Sequence, residues 1–307
     1  MDRFDALRAF VRVVEAGSFT KAALTLHISK TTVTQLVQQL EARLGTRLLH
    51  RTTRQLTVTT EGAAYYARVV RVLSDLEEAD TVLTGNPSTP GGRLRVDVPS
   101  PFARVVLMPA MPDFHRRYPG IRLEVGVSDR VVDVIGDNVD CVLRGGEVTV
   151  PSLVARRVGQ LQMGVYAAPD YLRSAGTPGH PSDLEGPQHC IVGFLRSSTG
   201  TVAPMALRRG DSGATEEAVQ VSGRYIVSAD DGNAYLAAGL AGMGVLWLPR
   251  YMADAYAARG VLLRLFEDWR VEPMPMYLAY PPNRHVSPRL RAFMGWIDEL
   301  MAALPAA

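Results

Sequence analysis

Apolar residues fall at Val33, Leu36, Val37, Leu40 and Leu44, the i, i+3, i+4, i+7, i+11 spacing of a single helical stripe. The opposite face carries Thr31, Thr34, Gln35 and Gln38, with Lys30 at the helix start. Read this way, the face has no carboxylate and no large apolar group. Its short or flexible hydrogen-bonding side chains suit base edges in a DNA major groove. Ser29 stands where it can N-cap this helix, and Ser18 can cap a shorter one before it. His27 and Ile28 are all that is left for the turn, so the two helices must cross steeply, with the second as reader. Leu7, Phe10, Val11 and Val14 form a third stripe that closes a small core with Phe19, Ala22, Ala23 and Leu26. After Gly45, Leu48 and Leu49, then Leu56 and Val58, flank the polar run Arg51-Thr52-Thr53-Arg54. This predicts a hairpin, or wing, whose Arg51 and Arg54 meet phosphates. An ordinary helical corner with a solvated polar face is the plainer alternative.

Next comes a long helix, predicted over 61–83 with Thr60 as its cap. Tyr66, Val69, Leu73 and Leu76 make a narrow apolar seam that suits pairing with a second copy of the chain, or packing on its own body. Residues 85–92, Gly-Asn-Pro-Ser-Thr-Pro-Gly-Gly, are turn formers and read as a hinge. Beyond them strands and helices alternate. Strands are predicted at 94–98, 122–127, 140–143, 163–167, 191–194, 220–225, 245–248 and 276–280. Helices are expected up to about residue 118 (bent or delayed by Pro109 and Pro112), at 131–135, 231–241, 250–258 and 288–303. The pattern is α/β with mainly parallel sheets in two lobes.

Charge refines this picture. The 307 residues carry a net charge of +2, which alone would not suggest nucleic acid. Residues 1–62, however, hold nine Lys or Arg against five acids, and both lysines of the chain, Lys21 and Lys30. A basic head on a slightly acidic body fits a DNA reader joined to a neutral partner domain. The start of the chain shows no apolar signal core and no apolar run reaches membrane-spanning length, so a cytoplasmic protein without membrane contact is expected. Cys141 and Cys190 share no metal spacing and read as reduced core thiols.

The run FVRVVEAGSFTKAALTLHISKTTVTQLVQQLEARLGTRLLHRTTRQLTVTTEG resembles the winged helix-turn-helix of LysR-type transcriptional regulators. YPGIRLEVGVSDRVVDVI, DCVLRGGE and GLAGMGVLWLP resemble the effector-binding domain of the same family, which is similar to a two-lobed periplasmic solute-binding protein. The resemblance implies a winged helix-turn-helix at 1–59, a linker helix at 60–84 that pairs two subunits, a hinge at 85–92 and an effector domain at 93–305. Lobe one would span about 93–162 and 268–305, and lobe two about 163–267. It also implies tetramers when effector domains pair.

No catalytic constellation stands out. Ser18-x-x-Lys21 lies inside the DNA module without partner motifs, and Gly239, Gly242 and Gly244 fit close packing better than phosphate binding. No cofactor or metal is expected. Open α/β sheets bind ligands at the carboxyl ends of their strands. Ser100, followed by Pro101 and Phe102, ends the first strand there, as site or as helix cap; the resemblance favours the site. Ser128 ends the second strand. Arg144 ends the third, as a carboxylate clamp or as a member of an interlobe ion pair. Asp231 heads a helix and is first a cap. Phe194 offers an apolar wall from lobe two, or is core. The reading is a transcription factor: DNA contacts from Ser29, Lys30, Thr31, Thr34, Gln35, Gln38, Arg51 and Arg54, an interrupted-dyad operator, a small organic-anion effector, self-association, and RNA polymerase as a further partner. Its rivals are a ligand-independent repressor with a vestigial cleft, and an enzyme with a regulatory head.

Overall fold

The structure, a computed structural model, describes residues 2–51, 56–83, 90–130, 139–147, 153–197, 199–210, 217–282 and 286–304. The chain divides into two compact units, Met1–Ser88 and Thr89–Ala307.

In the first unit, helices Arg3–Ala16, Phe19–Leu26 and Lys30–Leu44 precede strands Leu49–Arg51 and Leu56–Val58 and the long helix Thr60–Leu83. Each junction is set by local chemistry. Asp2, Ser18 and Ser29 cap the first three helices with their side-chain oxygens, satisfying N–H groups that the helix itself cannot. Gly17 and Gly45 end two of them in the left-handed conformation (φ 59° and 65°), and His27 adopts it between the second and third (φ 54°). Phe10, Ala22, Val33, Val37 and Leu49 form a core with no exposed surface.

The long helix begins one residue earlier than the sequence suggests. Thr59, not Thr60, is its cap: the Thr59 hydroxyl accepts from the Gly62 N–H at 2.8 Å and donates to the carbonyls of Arg47 and Leu48. Gly62 permits the approach, because a Cβ there would lie 2.0 Å from the Leu48 carbonyl oxygen, far inside contact distance. The first half of the helix therefore lies on its own head. Val69 and Leu73 are buried in the head core. Tyr66 packs edge-on against Phe10 at 6.5 Å and donates to Glu15. Leu76 is half-buried. This corrects the seam expected from spacing: Val69 and Leu73 are claimed by the chain itself, since the head leaves one side of its small core open. Val72, between them, is half exposed. With Phe4, Leu7, Tyr65 and Arg68 it lines a cleft of about 280 Å³.

The second unit is built on a five-stranded sheet ordered Ile121–Val127, Gly92–Val98, Cys141–Gly145, Met274–Tyr280, Val154–Leu161. The first three strands are parallel and the last two antiparallel to their neighbours. Gly92, assigned above to the hinge, already pairs with Ile121; residues 85–89 of that hinge lie outside the described residues, as does the helix expected at 131–135. Leu94, Val96 and Val98 face Phe102, Phe114, Phe293 and Trp296 across a core of almost no exposure. The helix after the first strand runs as Ser100–Phe102, a π-helical turn Ala103–Leu107, and Met108–Arg117. Pro109 and Pro112 lack the N–H needed for the regular ladder. The register widens just before them, with Met108 donating to Ala103.

From Leu161 the chain passes into lobe two, where the described residues form three small sheets: Leu246–Pro249 and Leu263–Leu265 flank Met163–Ala167, Ile191–Phe194 pairs with Tyr225–Ala229, and Glu217–Val221 and Arg270–Val271 flank Met205–Arg209, so Arg270 and Val271, expected in lobe one, belong to lobe two. Most of these pairs are antiparallel, so the sheets are mixed and not mainly parallel as expected. Alternation of strand and helix does not fix direction, and the short returns that allow antiparallel pairing are easily missed. The single strand expected at 220–225 is the end of one strand and the start of another, separated at Ser222–Arg224.

These contacts separate two adjacent positions. Leu73→Glu puts an unpaired charge into the head core and should destabilise that unit by about 3–5 kcal/mol. Val72→Glu spares the head core, so any loss beyond about 0.5 kcal/mol should come from weaker self-association and depend on protein concentration. Calorimetry of the two variants checks this.

Candidate functional site

The helix Lys30–Leu44 buries Val33, Leu36, Val37 and Leu40 and exposes Lys30, Thr31, Gln35 and Gln38. Not all the expected contacts are equally free. The Ser29 hydroxyl caps the Thr32 N–H at 3.0 Å and bonds the Thr32 hydroxyl at 2.8 Å. The Thr34 hydroxyl, half-buried, donates to the Lys30 carbonyl at 2.8 Å. Thr34 thus has acceptor lone pairs to offer but no donor. Arg51 ends the first wing strand; its side chain, and Arg54 entirely, lie outside the described residues. The face is also not free of carboxylate. Glu41 stands three residues after Gln38 on the same side, and its Oε1 accepts from the backbone N–H groups of Leu48 and Leu49 at 2.9 and 3.0 Å. A count that stopped at Gln38 missed it; the helical spacing of three was the available signal.

In the second unit the carboxyl ends of Gly92–Val98, Ile121–Val127 and Cys141–Gly145 lie side by side, which brings Ser100, Ser128 and Arg144 to one edge of lobe one. Opposite, Phe194 ends one of two paired strands of lobe two and Asp231 follows the other. The groups between them are already paired. Asp129, which the sequence reading passed over, places Oδ1 on the Ser100 N–H at 2.9 Å and Oδ2 on the Gly232 N–H at 2.6 Å. One carboxylate thereby takes the N-terminal N–H groups of a helix from each lobe, the position where an anionic ligand gains most. Asn233 donates to the Ser100 hydroxyl at 2.5 Å, Arg104 donates to Asn233 at 2.8 Å, and Arg130 pairs with Asp230 at 2.8 Å. A Cβ on Gly232 would lie 2.5 Å from Pro101 Cγ, so the two helix starts are in close contact. Burial pushes the Asp129 carboxyl above the usual carboxylate range, the N–H bonds from Gly232 and Ser100 draw it back, nearby Asp231 adds to the rise and Arg144 opposes it.

Arg144 takes the second of its two alternatives, and within one lobe instead of between lobes. It pairs with Asp97 at 2.5 Å and also donates to the carbonyls of Asp97, Leu143 and Arg130. Asp97 is a buried acid between Val96 and Val98, and facing Gly126 leaves it room, since a Cβ there would be 2.4 Å away. Through the Arg130 carbonyl, Arg144 steadies the segment that carries Asp129. Phe102 is wholly buried, edge-on to Tyr251 at 6.3 Å; it belongs to the core and presents no surface to the cleft. Phe194 is half-buried and stacks edge-on against Tyr235 at 5.4 Å. Asp231 caps its own helix through the Ala234 N–H at 2.8 Å. The Ser128 hydroxyl accepts from the Arg130 N–H at 3.0 Å. Among the described residues no cluster of His, Cys, Asp or Glu could hold a metal ion, and no helix is long and apolar enough to cross a membrane. If Asp129 holds the helix starts together, Asp129→Ala should speed hydrogen exchange at the Ser100 and Gly232 amides by about tenfold or more. Exchange resolved by peptide mass spectrometry on the full chain reads this directly.

Comparison with known proteins places this geometry. The family profile described as "Bacterial regulatory helix-turn-helix protein, lysR family" matches residues 4–63, and that described as "LysR substrate binding domain" matches residues 87–302. A protein of Pseudomonas aeruginosa named an HTH-type transcriptional repressor is 37% identical, over 99% of this chain and 94% of its own length. The structure of CrgA, a LysR-type transcriptional regulator from Neisseria meningitidis, superposes with a TM-score of 0.57 at 32% identity, covering 97% of this chain and 98% of that one. The full-length Vibrio cholerae virulence activator AphB gives 0.56 at 28% identity, covering 97% and 98%. The chain therefore belongs to the LysR family of DNA-binding transcriptional regulators, with a helix-turn-helix head and an effector-binding domain, and is a regulator and not an enzyme.

Proposed function

We propose that this regulator reads an interrupted-dyad operator with two heads. Gln35, Gln38, Thr31 and Lys30 would reach base edges, Ser29 and Thr34 would act at the helix start, and Arg51 and Arg54 would bind phosphates. The observation that carries the reading is the exposed polar face of Lys30–Leu44, set on a fully buried stripe. Residues 1–59 form the reading unit, 60–84 the linker, 85–91 the hinge and 92–305 the effector domain. Subunits pair beside the linker helix, with Val72 and Phe4 as apolar contacts and Leu76 further along; pairing of effector domains completes a tetramer. The protein works in the cytoplasm, with RNA polymerase as its eventual partner.

The effector is an organic anion that enters between the lobes near Ser100, Ser128, Phe194 and Asp231. Asp129 already occupies the N–H groups such an anion would seek, so the ligand competes with an internal carboxylate. It changes the lobe arrangement only by the difference in its affinity for the two states. Arg144 acts in this scheme by holding Asp97 and the Arg130 carbonyl.

One observation favours a second reading: the cleft is spanned by its own side chains, Asp129, Arg130 and Asn233. This is what a repressor that needs no ligand would have, and the Pseudomonas relative is named a repressor.

Gln35→Ala should relax sequence preference by about 1–3 kcal/mol, while Arg54→Ala should weaken binding to all duplexes and flatten the salt dependence by about one contact. Titrations of a selected operator and a random duplex over a salt series distinguish them; equal losses on both duplexes would sink the division of roles. A thermal-shift screen of short and aromatic carboxylates separates the two readings of the cleft. The first expects a stabilising acid for the wild type, by RT ln(1 + [L]/Kd); the second expects none.

A further inference from the structure

The reading face carries a carboxylate where simple electrostatics argues against one. Glu41 borders the same shallow cleft as Gln38, with Ala42, Gly45, Thr46 and Arg47, and DNA phosphates repel negative charge at that range. Its bonds explain why such a charge is retained. Gly45 ends the helix in the left-handed conformation and Thr46 donates back to the Glu41 carbonyl at 3.2 Å. The chain then turns, and the N–H groups of Leu48 and Leu49 both donate to Glu41 Oε1. Leu49 opens the wing. Glu41 thus contributes its carbonyl to the end of the recognition helix and its carboxylate to the start of the wing. Leu48 is held from the other side as well, through the Thr59 hydroxyl on its carbonyl.

We propose that Glu41 is a positioning residue for DNA binding: it fixes the wing relative to the recognition helix, so that one head places both elements on the same stretch of duplex. The inference rests on the reading that this helix and this wing meet DNA. It reverses the expectation from charge. If Glu41 were merely a nearby negative group, removing it in any way would tighten binding. If it is an anchor, the outcome depends on whether the replacement keeps an oxygen within reach of Leu48 and Leu49. Glutamine keeps the reach and one acceptor and drops the charge. Aspartate keeps the charge and loses one methylene of reach. Alanine loses both.

The test is Glu41→Gln, Glu41→Asp and Glu41→Ala in the full chain, with a duplex selected from a random library by the wild-type protein, across a salt series. Glu41→Gln should bind as tightly as wild type or more so. Glu41→Asp and Glu41→Ala should each lose on the order of 10-fold, with a salt slope shallower by about one or two phosphate contacts, because a misplaced wing forfeits them. Glu41→Asp and Glu41→Gln decide the question even if the alanine variant fails to fold. Equal or tighter binding by the aspartate variant overturns the proposal. So does a loss that follows the folded fraction in thermal melts while the slope stays unchanged. If Gln35→Ala and Arg54→Ala are also without effect, the reading of the DNA face itself fails; if they act and the Glu41 variants do not, only this inference does.

Discussion

Two carboxylates, each accepting two backbone N–H groups, hold the places where this protein most needs fixed geometry. Glu41 joins the reading helix to the start of the wing, and Asp129 joins a helix start in lobe one to another in lobe two. The constraint behind both is that a backbone N–H withdrawn from water must find an acceptor. Where the chain leaves a regular element, neither ladder nor helix supplies one. A charged oxygen does so with stronger bonds than a neutral one, and with two oxygens or two lone pairs it ties together segments that are distant in sequence. The head's buried stripe and the lobe cores provide most of the stability, but apolar packing is non-directional. These polar ties set the angles.

Much of the fold was legible, because its signals are local. The spacing of Val33, Leu36, Val37 and Leu40, the serine caps, and Gly45 at a helix end each follow from the chemistry of a few neighbouring residues. The same holds for strands such as Met163–Ala167 and Ile191–Phe194, whose bounds match their apolar runs. Strand direction was not legible, because pairing is settled by partners far along the chain; Met274–Tyr280 lies between strands that end more than a hundred residues earlier. The two strands around Ser222–Arg224 merged for a related reason, since their break reflects a change of sheet and not a change of composition.

The site was legible as a place more than as a set of contacts. Strand-end reasoning led to Ser100, Ser128 and Arg144, which do share an edge. It did not lead to Asp129, next to Ser128, or to Asp97, whose partner is in view only once the strands of Asp97 and Arg144 are known to be neighbours. Phe102 looked available because it follows a strand end, but one turn of helix carries it into the core. Val69 and Leu73 teach the same lesson in the head. A heptad-like seam states that a helix will be covered, not by what. Here the first cover is the helix's own domain.

The path of the chain through the second unit sets an order of assembly. Lobe one is begun at Gly92, left after Leu161, and finished only with the strand Met274–Tyr280 and the helix Pro288–Ala302. During synthesis the head and the inner strands of lobe two emerge first, whereas the lobe-one sheet waits with an open slot between Cys141–Gly145 and Val154–Leu161 until Met274–Tyr280 has emerged. That slot is an unpaired pair of strand edges, the kind of surface on which nascent chains associate wrongly. Removing the strand Met274–Tyr280 and the helix Pro288–Ala302 would therefore take an inner strand out of a sheet, and the DNA-binding head is made well before the regulatory fold can close.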